Sequence, residues 1–200
     1  MESRHLEFWY EFASPYCYLS ALRIEQLGAA AGVAIVWRPF LLGPVFKAQG
    51  WGTSPFNVYP AKGRYMVRDI ARIAAARGHA FQMPLTFPVN SVAAARIALT
   101  GQNDPWGPRF SRTVFDAQFS CGADIADTAV LKGLLRSLDL DADRILEQSA
   151  NDAIKPRLRE QTARAAALGI FGAPSFVTPD GELFWGDDRL EQAMTWATKL

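Results

Sequence analysis

The chain has 200 residues, half of them hydrophobic, so it can bury a sizeable core as one domain or as a domain carrying a large insertion. Its 21 basic and 20 acidic side chains nearly cancel, so no net field is available to hold a nucleic acid or an anionic membrane surface. We therefore expect neither nucleic acid nor membrane among its partners.

The N-terminal segment and the few cysteines bear on compartment and metal binding. Residues 1–5 contain no long apolar stretch, so we expect no secretory signal and a cytoplasmic location. Cys17 and Cys121 are the only cysteines and stand far apart, which fits a reducing compartment better than a disulfide scaffold. His5 and His79 are too few and too distant to indicate a zinc site, and we expect no metal.

The N-terminal part predicts a strand-helix-strand unit. Residues 5–12 are dense in aromatic and apolar types and predict a strand. Ser14 and Pro15 follow it, and a serine N-cap before a proline at the first helical position predicts a helix over 15–27. A second strand over 34–39 completes a right-handed parallel unit.

The middle of the chain predicts one long loop and then a series of helices. Residues 43–60 are rich in Gly, Pro, Ser and Asn and predict an irregular loop long enough to be functional. Apolar periodicity then predicts helices over 62–77, 91–100, 108–119, 128–138, 142–149 and 153–168.

The C-terminal part returns to strand character. Residues 175–178 and 182–185 predict a hairpin around a Pro-Asp-Gly turn, and residues 186–188 predict the cap of a closing helix over 189–199. This order of elements indicates a split α/β domain with an all-helical insertion between its halves. We assign residues 1–44 and 153–200 to the α/β domain and 45–152 to the insertion.

The first candidate for chemistry is Ser14-Pro15-Tyr16-Cys17. It lies where thioredoxin-type redox proteins carry a C-x-x-C motif, at a helix start that stabilises a thiolate. Serine cannot exchange a disulfide, but its hydroxyl can donate a hydrogen bond to a thiolate that a ligand such as glutathione brings. Ser14 could instead be only an N-cap, and a cysteine at the position of Cys17 is more often buried and structural than reactive.

The second candidate is the segment 172–176. A proline that enters a strand after a glycine-rich turn would be kept there for a cis peptide bond, which exposes the backbone of Ala173 for pairing with an extended peptide such as glutathione. An ordinary trans bond at Pro174 is the alternative.

Polar residues elsewhere give weaker candidates. Asp187 and Asp188 follow the last predicted strand and could either cap the closing helix or bind the ammonium of a γ-glutamyl group. Lys62 could hold the carboxylate of a substrate or of a glycyl end, although most such lysines are solvated. Asn57 lies in the loop before it.

Together these segments resemble the 2-hydroxychromene-2-carboxylate isomerases and the kappa-class glutathione transferases, within the thioredoxin-like group. The resemblance spans nearly the whole chain and depends on the order of its motifs: Phe12-Ala13-Ser14-Pro15-Tyr16 with Tyr18-Leu19, Pro60-Ala61-Lys62 with Tyr65-Met66 and Asp69, 169–176, and Trp185-Gly186-Asp187-Asp188-Arg189-Leu190. It implies a thioredoxin-like α/β domain with a large helical insertion, glutathione as cofactor, and a cytoplasmic homodimer.

The resemblance also implies roles for the candidate residues. It assigns the glutathione sulfur to Ser14, backbone hydrogen bonds to Ala173 beside a cis Pro174, and the γ-glutamyl end to Asp187 and Asp188. Further glutathione contacts are implied for the two remaining candidates, Asn57 and Lys62.

The reaction implied by the resemblance is an isomerisation of an unsaturated aromatic oxo-acid, as in aromatic catabolism such as naphthalene degradation. Glutathione thiolate adds to the substrate, a single bond rotates, and elimination returns free glutathione. Phe46, Trp51 and Tyr65 are candidates for the wall of the pocket for this small aromatic substrate. Plain core packing is the alternative for these three residues. Three alternatives stay open: a transferase that releases a conjugate, a thiol-disulfide oxidoreductase, and a non-catalytic binding module. The missing cysteine at position 14 argues against dithiol exchange.

Overall fold

A computed structural model describes residues 4–200. Residues 1–3, which belong to the predicted segment 1–44 and to the N-terminal stretch predicted to lack a signal, lie outside the described residues. In chain order the elements are β1 (His5–Tyr10), α1 (Pro15–Ala21), α2 (Ile24–Ala31), β2 (Ala34–Pro39), α3 (Leu42–Ala48), α4 (Pro55–Val58), α5 (Pro60–Ala76), α6 (Val92–Thr100), α7 (Trp106–Phe119), α8 (Thr128–Ser137), α9 (Ala142–Ala150), α10 (Ile154–Ala167), β3 (Ser175–Val177), β4 (Leu183–Trp185), a 3₁₀ turn (Asp187–Arg189) and α11 (Leu190–Ala197).

The strands of the described chain form one mixed sheet in the order β2-β1-β3-β4. β2 pairs parallel to β1, with Trp37 opposite Phe8, and β3 pairs antiparallel to β1, with Phe176 opposite Phe8. β4 returns antiparallel to β3. As a result the ends of β1, β2 and β4 and the beginning of β3 meet at the same edge of the sheet. This is the edge that carries the candidate residues.

Alternation along β1 divides the core between the two faces of the sheet, as a strand period of two residues requires. Phe8 and Tyr10 belong to the large cluster that α1, α6 and α7 cover, and their rings lie 5.2 Å apart. Trp9 points to the other face, into a smaller cluster with Phe40 and Ile170. Both faces are thus buried, which fixes the register of β1 and the position of the residues that follow it.

The predicted helix over 15–27 is wrong, because the chain forms two helices there. α1 ends at Ala21 and α2 begins at Ile24, and Arg23 between them leaves helical geometry, with φ −130° and ψ −17°. The Arg23 guanidinium donates to the backbone carbonyl of Asp187 at 2.7 Å. A tertiary contact far along the chain accompanies this break, and no local sequence signal marks it.

The predicted irregular loop over 43–60 is also wrong, because it contains α3 and the short α4. Proline is tolerated in the first turn of a helix, so Pro55 at the start of α4 and Pro44 in the first turn of α3 do not prevent these helices. Ser54 caps α4, since its hydroxyl accepts a hydrogen bond from the backbone N–H of Phe56 at 3.3 Å. The other predicted helices and strands lie within about two residues of the observed ones, as expected for boundaries. None of the helices in residues 4–200 is long and apolar enough to cross a membrane.

Candidate active site

A cavity of about 890 Å³ opens at the carboxyl edge of β1, between the sheet on one side and α3, α4, α5 and the start of α6 on the other. This volume lies within the range of small-molecule sites, toward its upper end. Most of the residues proposed from sequence line it: Ser14, Lys62, Ala173, Pro174, Asp187 and Asp188. Segments that are far apart in the chain therefore meet in one place.

Ser14 lies at the floor of the cavity and is the N-cap of α1, as predicted. Its backbone is extended, with φ −91° and ψ 113°, and its Oγ accepts a hydrogen bond from the N–H of Cys17 at 3.3 Å. The same hydroxyl donates to the carbonyl of Ala173 at 3.0 Å. A serine hydroxyl has one hydrogen to donate, so Ser14 can serve a ligand sulfur only by releasing Ala173.

The peptide bond between Ala173 and Pro174 is cis, as the sequence predicted. The turn is held from both sides, because Ser175 Oγ donates to the Gly172 carbonyl and Gly186 N–H donates to the Pro174 carbonyl, each at 2.9 Å. The cis-proline segment thus lies beside Ser14 through a direct hydrogen bond rather than merely nearby. A second cis bond, Phe87–Pro88, lies in the cavity wall and was not predicted.

Cys17 is fully buried one helical turn after Ser14. Burial is the main cause that raises the pKa of its thiol to about 12, while its contacts with the backbone of Glu11 and the side chain of Ser14 act in the opposite direction. The thiol is therefore protonated at neutral pH and is a poor nucleophile. This geometry favours the structural interpretation of Cys17.

Asp187 is a buried ion-pair acceptor, and its predicted role as a helix cap is wrong. No side chain caps the 3₁₀ turn or α11. Asp187 Oδ1 accepts from Ser20 Oγ at 2.9 Å and Arg23 at 3.3 Å, and Oδ2 accepts from Arg77 at 2.8 Å. Its side chain is 3% exposed. Because protein donors already occupy both oxygens, Asp187 is poorly placed to bind a ligand ammonium.

Asp188, the next residue, has the opposite environment. Its side chain is 74% exposed, and it forms an ion pair with the neighbouring Arg189 at 2.9 Å. It lines the cavity next to the cis-proline segment. Of the two adjacent carboxylates, Asp188 is the one that a ligand can reach.

Of the two candidates Asn57 and Lys62, only Lys62 lines the cavity. Asn57 does not line the cavity, contrary to the prediction, and its amide donates to Thr53 Oγ1 at 3.3 Å and to the Phe87 carbonyl at 3.2 Å. It therefore joins α4 to the second cis-proline segment. Lys62 does line the cavity, with its Nζ 5.6 Å from the centre of the Tyr59 ring. Among residues 4–200 it is the only lysine or arginine that does so.

Aromatic side chains form much of the cavity wall. The predicted wall residues Phe46, Trp51 and Tyr65 all line it, and the Phe46 and Trp51 rings lie 5.7 Å apart. A second pair, Phe171 and Trp185, was missed; both residues line the cavity, and their rings lie 4.9 Å apart. Gly172 lies against this pair, because a Cβ there would come within 2.4 Å of Trp185 Nε1, a proximity that no sequence signal reveals.

Two polar groups in the cavity were not proposed from sequence. Tyr16 OH donates to Asp69 Oδ2 at 2.9 Å. Glu11, 5% exposed, accepts from the N–H groups of Ala13 at 3.3 Å and Leu42 at 3.0 Å. An acidic residue in the otherwise apolar segment directly after β1 was the signal that could have identified Glu11. Within residues 4–200 no group of three or more His, Cys, Asp or Glu is arranged to hold a metal ion.

Comparisons with known proteins agree with this geometry. A protein-family model described as DSBA-like thioredoxin domain matches residues 5–195. The chain is 29% identical over 194 residues to a 2-hydroxychromene-2-carboxylate isomerase of Sphingobium xenophagum, covering 94% of this chain and 95% of that one. It is 26% identical over 205 residues to glutathione S-transferase kappa 1 of Homo sapiens, covering 94% and 88%.

Solved structures show the same fold. A structure of 2-hydroxychromene-2-carboxylate isomerase matches with a TM-score of 0.87 and 24% identity, covering 98% of this chain and 95% of that chain. The cytosolic disulfide reductase DsbM from Pseudomonas aeruginosa, in a structure with GSH, matches with a TM-score of 0.67 and 16% identity, covering 98% and 96%. The predicted fold class, a thioredoxin-like domain with a helical insertion, is confirmed.

Proposed function

Because the chain belongs to the DSBA-like thioredoxin domain family, we propose that it is a glutathione-dependent isomerase that interconverts 2-hydroxychromene-2-carboxylate and trans-o-hydroxybenzylidenepyruvate, or a similar unsaturated aromatic oxo-acid. One observation carries the proposal. A serine takes the place of the attacking cysteine and is hydrogen-bonded to the carbonyl before the cis-proline, at the floor of a large aromatic cavity. This site has the geometry of a thiol enzyme but lacks its own thiol.

The donors and acceptors in the cavity fit glutathione. The tripeptide has a thiol, a central peptide unit, a γ-glutamyl end with an ammonium, and a glycyl carboxylate. The cavity offers Ser14 for the sulfur, the backbone of Ala173 for the peptide unit, Asp188 for the ammonium and Lys62 for a carboxylate. Bound glutathione would supply the sulfur nucleophile, which adds to an unsaturated carbon, permits rotation about the resulting single bond, and leaves again.

Ser14 and Ala173 would exchange hydrogen-bond partners when the ligand binds. The Ser14 hydroxyl turns from the Ala173 carbonyl, 3.0 Å away, to the ligand sulfur, where a charge-assisted bond is stronger. The released carbonyl then accepts from the ligand's own peptide N–H, as in β-strand addition. The Ala173 carbonyl has a donor in both states, so the exchange avoids the free-energy cost of an unpaired acceptor.

The helical side of the cavity would hold the second substrate. Phe46, Trp51 and Tyr65 provide apolar, flat surfaces suited to an aromatic ring. Lys62 lies on the same helix as Tyr65 and provides the positive charge for a carboxylate, either that of the oxo-acid or that of glutathione. Asp187 stabilises the site from outside, because it joins α1, the junction between α1 and α2, and the end of α5 to the 3₁₀ turn.

The reaction is tested by following the interconversion of 2-hydroxychromene-2-carboxylate and its ring-opened product by absorbance, with and without glutathione. We expect turnover that requires glutathione and does not consume it. Turnover of equal rate without glutathione would contradict the proposal. Glutathione binding without turnover over a panel of unsaturated oxo-acids would instead indicate a binding protein.

A glutathione transferase is the second candidate, and the charges of the cavity favour it. Glu11, Asp69 and Asp188 line the cavity, and Lys62 is its one cation among residues 4–200. A neutral electrophile would avoid competition with glutathione for Lys62, whereas an oxo-acid would not. Stoichiometric loss of glutathione with a neutral aromatic electrophile would identify the transferase.

Dithiol exchange is disfavoured, because Cys17 is buried and has no partner cysteine beside it. The homodimer implied by the resemblance remains a prediction for light scattering.

A further inference from the structure

Glu11 is a buried carboxyl group at the floor of the cavity that the proposed reaction has not used. It follows directly after β1, and its carboxyl group joins three segments. Oε1 accepts from the N–H of Ala13, and Oε2 accepts from the N–H of Leu42 at the start of α3. The hydroxyl of Ser91, directly before α6, interacts with the same carboxyl group and acts to lower its pKa. Glu11 and Ser91 both line the cavity.

The hydroxyl of Ser91 is used in an unusual way. Ser91 occupies the N-cap position of α6, yet its side chain does not cap that helix. Its hydroxyl interacts instead with the Glu11 carboxyl group and acts to lower the pKa of that group. A hydroxyl can donate to a carboxylate and can equally accept from a carboxylic acid, whereas a backbone N–H can only donate. Ser91 is therefore the partner that would allow Glu11 to carry a proton without losing its hydrogen bonds.

Glu11 also lies close to the position of the sulfur. The backbone N–H of Ser14 donates to the Glu11 carbonyl at 3.0 Å, and the Cys17 thiol contacts the Glu11 backbone. The Glu11 charge acts on Cys17, the residue one helical turn beyond Ser14. The Glu11 carboxyl group itself accepts from the N–H of Ala13, the residue directly before Ser14, at 3.3 Å, and both Glu11 and Ser14 line the cavity. A thiol held by Ser14 would therefore lie in the same part of the cavity as this carboxyl group.

We propose that Glu11 is a catalytic proton acceptor, which takes the thiol proton of glutathione when glutathione binds at Ser14. The inference rests on the proposed function. The S–H bond breaks, its electron pair stays on sulfur as the thiolate, and the proton moves to the Glu11 carboxylate, which becomes a carboxylic acid that donates to Ser91. In the elimination step the thiolate is regenerated, so the proton stays on Glu11 until glutathione leaves.

The electrostatics of the site agree with this role. Burial raises the pKa of Glu11, while the hydrogen bonds from Ser91 and from backbone N–H groups act in the opposite direction. A thiolate placed nearby would favour the protonated form still more. The segments around Glu11 add few competing groups. α1 contributes the protonated Cys17, and α3 and α6 contribute the Leu42 backbone and Ser91. Across the cavity the charged groups are Lys62 and Asp69 on α5 and, beside β4, Asp187 and Asp188.

The proton balance of glutathione binding tests the proposal on the intact protein. Calorimetry at pH 7 in two buffers of different ionisation enthalpy gives the number of protons released per glutathione, and ultraviolet absorbance reports the bound thiolate. For the wild type we expect thiolate formation without net proton release. S-methylglutathione, which has no thiol proton, should bind with the same proton balance.

Variants separate Glu11 from the rest of the site. In Glu11→Gln we expect the bound thiolate to form with one proton released to the buffer, since the amide cannot take it. Ser91→Ala removes the hydroxyl that accepts the hydrogen bond of protonated Glu11. We expect this variant to release a fraction of a proton per bound glutathione, between the values of the wild type and Glu11→Gln. Glu25→Gln, an acid of the same type outside the cavity, should match the wild type.

Three outcomes would overturn the inference. One is release of a full proton by the wild type, and this measurement does not depend on any variant folding. Another is a Glu11→Gln protein that folds, binds glutathione and keeps the wild-type balance. The third is absence of glutathione binding to the wild type, which would overturn the proposed function as well. The first two leave glutathione binding intact and so refute only the role of Glu11.

Discussion

The two walls of the cavity are built in different ways. The sheet-side wall, formed by Ser14, Ala173, Pro174 and Asp188 at the strand ends, presents polar atoms whose positions follow from the register of β1, β3 and β4. The helical wall, formed by residues of α3, α4 and α5 and the loop between the first two, presents mainly large apolar side chains. Strand register leaves little freedom to the first wall, whereas side chains on the second can vary without disturbing the sheet.

This difference suggests a division of roles. Groups that must meet a sulfur and a peptide unit within hydrogen-bond distance belong on the rigid wall, because small displacements weaken such bonds steeply. Groups that accommodate a ring need only apolar area. We therefore expect changes on the sheet-side wall to alter the chemical step and glutathione binding, and changes on the helical wall to alter the choice of the second substrate.

The largest expected effect comes from removing the Ser14 hydroxyl. Ser14→Ala should lower kcat about 10²–10³-fold, the range seen when one stabilising donor is removed from a developing or resident anion. It should also destabilise the fold by about 1 kcal/mol, because the hydroxyl caps α1. Steady-state kinetics and thermal unfolding measure the two effects separately.

Ser14→Gly is the matched control for the cap. Glycine is a good N-cap and costs only a few tenths of a kcal/mol, but it removes the same hydroxyl. Equal losses of kcat in both variants with unequal stability would assign the catalytic effect to the hydrogen bond. If kcat instead fell in proportion to the loss of stability across the two variants, Ser14 would act only as a cap. The sheet-side wall would then not have the catalytic role given to it above.

The adjacent carboxylates Asp187 and Asp188 should give opposite results. Asp187→Asn removes the ion-pair partner of Arg77 and one of the two carboxylate partners of Arg23, which keeps Glu191. Breaking a buried pair costs about 3–5 kcal/mol. We expect about 2–3 kcal/mol here, because the two arginine side chains are 16% and 30% exposed and keep part of their hydration. Denaturant unfolding measures this loss.

Asp188→Asn should leave stability within about 0.5 kcal/mol of the wild type, since its side chain is largely exposed. It should weaken glutathione binding about tenfold, which is about 1.4 kcal/mol, through loss of one charge-assisted hydrogen bond. Calorimetry gives the affinity. If Asp187→Asn instead weakened glutathione binding and kept full stability, Asp187 would be the carboxylate that binds the glutathione ammonium. Its buried ion pairs would then have to open when glutathione binds.

Sequence reasoning succeeded where a local signal sets the geometry. Ser14 before Pro15 is an N-cap by local chemistry, and a proline entering a strand next to Gly172 indicated the cis bond. It failed where the geometry depends on distant partners. Nothing near Asp187 reveals that Arg23 and Arg77 will reach it, and nothing in the run that ends β1 reveals that Ser91 will meet Glu11.

The same reasoning explains the errors in the segment over 43–60. Its glycines and prolines are typical of a loop, but Pro44 and Pro55 lie in first helical turns, where proline costs nothing. Apolar contacts then stabilise the short helices. Val45 packs under the sheet with Trp9 and Phe40, and Phe56 packs against the main core. Tertiary burial outweighs composition here, and composition alone could not show it.

The smallest expected effect tests the helical wall. Trp51→Ala removes one ring of the Phe46–Trp51 pair, and a partly buried aromatic contact of this kind is worth about 1–1.5 kcal/mol. KM for an aromatic substrate should rise about tenfold, while kcat and the affinity for glutathione stay the same. Trp196→Ala, which removes a half-exposed tryptophan outside the cavity, should change none of the three. If Trp51→Ala lowered glutathione affinity instead, the tripeptide would extend across both walls. The second substrate would then have to bind beside another aromatic pair of the cavity, either Phe171 with Trp185 or Tyr16 with Phe56.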